Sequence, residues 1–157
     1  MNTVRNRDGF SLIELMVVLA LLGMSLLVAA PNISGYLGTK RMERTFDDMS
    51  AHLDMARHLA VSTNTPCEAL FDTAYDNYRI FVDTNANGSI DTGERVLGPF
   101  DMPNNVDLET VSFAGDGRLV FQTSGVLGSG QGGSIIIKYD NGVRDTMEVY
   151  NSGSLSY

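Results

Sequence analysis

The densest set of potential metal ligands lies between Asp83 and Glu94. Asp83, Asn85, Asn87, Gly88, Ser89, Asp91 and Glu94 occupy positions 1, 3, 5, 6, 7, 9 and 12 of an EF-hand calcium loop, with Ile90 at apolar position 8. Oxygen donors at alternate positions, a glycine for the sharp turn and a closing carboxylate all suit calcium. Three acids and two amides make a weak site, however, and strand-like runs rather than helices flank it. Asp, Asn and Gly also close hairpins without any metal. The plain hairpin tip is the preferred reading, with calcium as its alternative and no other cofactor implied.

Catalytic chemistry finds little to work with. The two histidines, His52 and His58, stand six residues apart on a helical pattern, roughly 240° around the axis, so they do not share a ligand. One cysteine, Cys67, excludes an internal disulfide framework and Cys-based zinc. It reads as a small buried hydrophobe in a strand. No Ser/His/Asp set or glutamate pair appears at motif spacing, so the chain reads as no enzyme. From Thr45 onward 16 acids face 6 bases, which disfavours nucleic acid as a partner. The one basic cluster, Lys40, Arg41 and Arg44, fits lipid headgroups, acidic neighbours or a solvated helix face. The eight methionines read as packing residues.

Glu14 is the other unusual carboxylate. Residues 10–30 (FSLIELMVVLALLGMSLLVAA) carry no other charge and, as a helix, span about 31 Å, the thickness of a bilayer core. A carboxylate so placed costs roughly 2.5–3.5 kcal/mol on insertion and calls for a partner. A cleaved signal peptide fits poorly, because the small-residue site Val28-Ala29-Ala30 runs into Pro31. Arg5 and Arg7 before the span put the N-terminus in the cytoplasm and the acidic remainder across the membrane.

Gly9-Phe10-Ser11-Leu12-Ile13-Glu14-Leu15, behind a short leader with two arginines, resembles the processing site of type IV prepilins and type II secretion pseudopilins. The resemblance implies cleavage between Gly9 and Phe10 by a prepilin peptidase, N-methylation of Phe10, and an assembly role for Glu14. A Gly-Phe pair, an acid and an unbroken apolar span rarely coincide in this order.

Beyond the span, Pro31 predicts a kink or local melting. Met42, Phe46, Met49, Leu53, Ala56 and Ala60 then lay one apolar stripe along a helix. After Pro66 the period becomes two. Strands are expected at Cys67–Phe71, Tyr78–Val82, Arg95–Leu97, Val106–Phe113, Arg118–Phe121, Ser134–Tyr139 and Val143–Tyr150. Asn87-Gly88, Asp116-Gly117 and Asn141-Gly142 are hairpin signals, and residues 125–133 read as a flexible loop with no phosphate-binding continuation. The run from Tyr78 to Asp83, the Asp/Asn/Gly-rich loop ending in Gly93-Glu94, and the return strand to Leu97 resemble the GspH/FimT type of minor pilin.

The fold expected is α+β. A long N-terminal helix, membrane-spanning in its first half and amphipathic in its second, packs on an antiparallel sheet or two small sheets, as in pilins. The organisation is a leader at 1–9, a membrane and filament-core helix at 10–30, its amphipathic continuation at 31–64, and a β-rich periplasmic part at 65–157. The resemblance implies a structural subunit of a type II secretion pseudopilus or type IV pilus, single-pass in a bacterial inner membrane before it enters a filament. Its partners would be other pilins, the prepilin peptidase and inner-membrane lipid. The alternative is a pilus-tip subunit for DNA uptake or surface ligand capture.

Overall fold

The apolar stripe has the burial its spacing predicts. Met42, Phe46, Met49, Leu53, Ala56 and Ala60 are each at most 2% exposed. They belong to helix α1, Leu12–Thr63. The computed structural model describes residues 10–113 and 117–157, with side chains at all of these except 27–35. The chain divides into two compact units, one ending at Leu37 and one running from Gly38 to Tyr157.

In the first unit the side chains from Phe10 to Leu26 all lie open, including Leu12, Ile13, Leu19 and Met24. Apart from Glu14, this stretch is almost wholly apolar on every side. Among the described residues no helix is long and apolar enough to cross a membrane. The apolar run of the sequence continues through residues 27–30, beyond the described side chains. The local melting expected at Pro31 does not occur, because the backbone stays helical from Leu12 to Thr63. Proline removes one N–H from the ladder, and the turns on either side keep theirs.

Among the described residues of the second unit, eight strands follow the helix. They are β1 Cys67–Asp72, β2 Asn77–Val82, β3 Val96–Asp101, β4 Val106–Ser112, β5 Arg118–Phe121, β6 Gly133–Tyr139, β7 Arg144–Val149 and β8 Leu155–Ser156. They form two four-stranded antiparallel sheets, ordered β3-β2-β1-β5 and β4-β6-β7-β8. Ile80, Leu119 and Phe121 of the first sheet, and Leu108, Ile135, Ile137 and Met147 of the second, join the helical stripe in one core cluster.

One turn expectation is corrected. Asp116-Gly117 is not a hairpin, since β4 and β5 belong to different sheets. Asp116 itself lies outside the described residues. Asn87-Gly88 lies, as expected, in the loop joining two antiparallel partners, β2 and β3, although that connection is long and not a tight hairpin. Asn141-Gly142 does close one: the Tyr139 amide donates to the Val143 carbonyl at 2.8 Å, and Gly142 takes φ +84°. The β1–β2 hairpin carries no glycine signal. There Asp72 Oδ1 accepts the Ala74 amide at 2.9 Å, and Asp76 accepts a left-handed φ of +49°. Asp76 also joins the sheets: its carbonyl takes the Met102 amide and its Oδ1 takes the Leu108 amide, both at 2.8 Å.

β3 runs past the expected Leu97 into Gly98-Pro99-Phe100, which a strand at the side of a sheet tolerates. The segment expected to be a flexible loop is folded down instead. Leu127 is buried and bridges Phe121, Val126 accepts the Gln122 amide at 2.9 Å, and Gln131 Oε1 accepts the Val120 amide at 3.0 Å.

Candidate functional site

Phe10 and Ser11 precede the helix, and Glu14 lies in its first turn. The first four N–H groups of a helix lack intrahelical partners, so a carboxylate there is favoured by the dipole. Phe10 is 85% exposed, and Glu14 is exposed as well. Gly9 lies outside the described residues. The helix therefore presents one acid near its N-terminal end on an open apolar surface, four residues from Phe10.

The loop after β2 closes upon Asp83. This residue is only 1% exposed. Its Oδ1 accepts the amides of Asn85 and Asn87 at 3.3 Å, and its Oδ2 accepts that of Gly88 at 2.8 Å. Burial raises the carboxyl's pKa, but the backbone N–H groups of Gly88, Asn87, Ala86 and Asn85 outweigh it and hold the group below the ordinary carboxylate range. Asn85 and Asn87 each donate a side-chain N–H to Asp91 Oδ2 at 2.7 Å. Ser89 contributes only its amide, given to Asn87 Oδ1 at 2.8 Å. Glu94 turns aside: Oε1 takes the Thr84 amide at 2.8 Å and Oε2 the Asp91 amide at 3.0 Å.

Asn85, Asn87 and Asp91 thus come together, whereas Asp83 is spent on backbone amides and Glu94 on two amides and the Thr84 hydroxyl. Among the described residues no group of three or more His, Cys, Asp or Glu side chains is placed to hold a metal ion. A cation entering here would have to displace amide donors already bound to the carboxylates. Millimolar calcium is therefore expected to leave the thermal midpoint of the full chain where equal magnesium leaves it. A midpoint climbing with the logarithm of calcium concentration would refute the self-closed loop.

Sequence reasoning missed what anchors this loop. Arg118 of β5 donates from Nη1 to the Gly88 carbonyl at 2.7 Å and lies 3.6 Å from the buried carboxylate of Glu68 on β1. Only strand pairing brings these residues together, and pairing is not written in the local pattern.

The remaining candidates are structural. His52 Nδ1 is 2.7 Å from Tyr78 Oη, and its ring stacks on Phe100 at 3.9 Å between centroids. Burial, followed by the charge of Asp48, pushes the Tyr78 hydroxyl well above its ordinary range. Cys67 is fully buried, and its thiol is pushed up to about 12 by burial first and Glu68 second, which makes it an inert hydrophobe. In the basic cluster, Lys40 pairs with Glu43, and Arg41 donates to the Asn104 carbonyl at 3.4 Å.

Comparison with known proteins bears on both halves of the chain. A family model described as Type II transport protein GspH matches residues 45–153. A second, the prokaryotic N-terminal methylation motif, matches residues 4–30. No curated protein matches. Among solved structures, that of the minor pseudopilin EpsH from the Type 2 Secretion System of Vibrio cholerae is similar, with 13% identity and a TM-score of 0.49 over 70% of this chain and 90% of that one.

Proposed function

The chain belongs to the GspH family of type II transport proteins, and on that premise we propose that it is a minor pseudopilin, a structural subunit rather than an enzyme. The observation that carries the reading is the coincidence of the methylation motif at residues 4–30 with an exposed apolar helix from Leu12. A helix apolar on every face has no place in water, so it is stored in lipid and later packed among other helices. The subunit is held single-pass in the inner membrane, with its β-rich unit in the periplasm. It leaves the bilayer when its helix enters a filament with other pseudopilins through heterologous contacts.

Cleavage between Gly9 and Phe10 prepares that step. It removes the charged leader and creates a free amine on Phe10, which methylation then modifies. Mass spectrometry of the detergent-extracted protein from its native host is expected to show an N-terminus at Phe10, heavier by one methyl group. An intact Met1, or an N-terminus near Pro31, would sink the reading. The leader variant Gly9→Leu is expected to remain uncut, because a large side chain is placed next to the bond to be broken.

A further inference from the structure

One face of the second sheet ends in a polar cup. Strand register aligns Ser112 with Ser134, Ser134 with Glu148, and Glu148 with Ser156, so one row crosses all four strands. Alternation sends Ile135, Met147 and Val149 into the core and leaves this row on the opposite face. The cup beside it has a volume of about 530 Å³ and is walled partly by glycine main chain at 130, 132 and 133. A Cβ on Gly132 would come within 3.0 Å of both the Val149 carbonyl and Asn151 Oδ1, so that wall has room for backbone alone. The Gly132 amide donates to Asn151 Oδ1 at 2.8 Å and fixes the rim.

The polar groups lining it have spare hydrogen-bonding capacity. Tyr150 Oη donates to Glu148 Oε2 at 3.0 Å, which fixes both side chains and leaves the other carboxylate oxygen able to accept. Tyr150 is 48% exposed, so part of its ring is open to a ligand. The Ser112 and Ser134 hydroxyls can each donate and accept. No lysine or arginine lines the cup, and its one charge is a carboxylate, so phosphate and other anions are repelled. The site suits a molecule rich in hydroxyls and free of negative charge, with a C–H face able to lie on an aromatic ring. The hollow is broadly open, so it would hold one face of a ligand and leave the other in water.

We propose that this cup is a binding subsite for a neutral saccharide. Glu148 accepts hydrogen bonds from adjacent ring hydroxyls, Ser134 bonds the same sugar from the middle strand, and Tyr150 borders it. The inference rests on the second sheet alone and stands apart from the family reading.

The test is saturation-transfer NMR on the full chain in zwitterionic detergent free of sugar headgroups. The neutral probes are chitotriose and maltotriose, with glucose 6-phosphate and putrescine as charged controls. At least one neutral trisaccharide is expected to bind with a Kd of about 1 mM, a weak but specific level. Glu148→Gln is expected to weaken it about tenfold, keeping a carbonyl for Tyr150, while Ser134→Val abolishes it with the circular dichroism spectrum unchanged. No transfer from either trisaccharide at about 10 mM, unchanged transfer in a folded Ser134→Val protein, or putrescine binding in preference would each overturn the assignment. Should Ser134→Val fail to fold, Glu148→Gln decides alone: undiminished binding there refutes it.

Discussion

Replacing Glu14 with leucine is expected to leave the protein inserted, cleaved and folded, yet reduce its incorporation into filaments at least about tenfold, the factor that 1.4 kcal/mol represents. Membrane insertion should improve, because the substitution removes the one charged group from the apolar stretch 10–30. Folding of Gly38–Tyr157 should be unaffected, because Glu14 belongs to the other compact unit. What is lost is a charge partner. Cleavage after Gly9 would place an amine on Phe10, four residues away, and a buried carboxylate is retained where a positive group offsets its desolvation. Pairing within one helix gives Glu14 a local purpose only. Pairing with the amine of an incoming subunit would set the axial step between neighbours, and that pairing is what leucine destroys. Crosslinking or co-purification with partner pseudopilins, at equal membrane abundance, measures the difference. Normal co-assembly of Glu14→Leu would confine the residue to its own N-terminus.

The second large effect is on stability. Asp83→Ala is expected to cost about 2–4 kcal/mol, because the amides of Asn85, Asn87 and Gly88 lose their acceptor in a place water scarcely reaches. Against a total stability of about 5–15 kcal/mol, that is a clear shift in a denaturation midpoint. Asp83→Asn should recover part of it, with one carbonyl oxygen still able to accept. Gly88→Ala is expected to destabilise too. Gly88 has φ +69°, and an added Cβ would lie 1.6 Å from Arg118 Nη1, pushing the guanidinium off the loop. The carboxylate also leaves a signature in pH. Its pKa is lowered on folding, so its contribution is fully present above the unfolded value, about 3.9, and is lost as pH falls through the folded value below that. The gap in stability between wild type and Asp83→Asn should therefore be widest at neutral pH and narrow below about pH 4. A gap constant from pH 7 to pH 3 would mean that the charge contributes nothing.

The helix and most strands were legible because each obeys a period. The stripe from Met42 to Ala60 repeats at helical spacing, and all six of its members are buried. β5 was marked at both ends by its residues, Arg118 and Phe121. Pairing was less readable. Asp116-Gly117 has the composition of a hairpin turn, but the chain crosses there from one sheet to the other, and composition says nothing about which strand comes next in space. Leu155–Ser156 is too short to show a period at all. Of the loop from Asp83 to Glu94, the sequence supplied the donors but not their direction. Whether Glu94 turns inward to an ion or outward to the Thr84 amide depends on backbone torsions at Ala86, Gly88 and Gly93, all at positive φ.

The borders of the two sheets carry a consequence for a molecule that polymerises. On β5 the border is taken up by the folded segment and the Gln131 carbonyl, and β3 carries Pro99, which has no N–H to offer. On β4 one amide, that of Leu108, is held by Asp76, and β8 ends the second sheet after two residues. An open strand border is a template on which another copy adds, and such growth is self-propagating and hard to reverse. For a subunit that enters a filament through its helix, as proposed above, an open border would be a competing route to aggregation. Blunted borders would leave the helix contacts proposed above without that competitor. On the proposed reading, assembly would then wait for the removal of a leader instead of beginning wherever two copies meet.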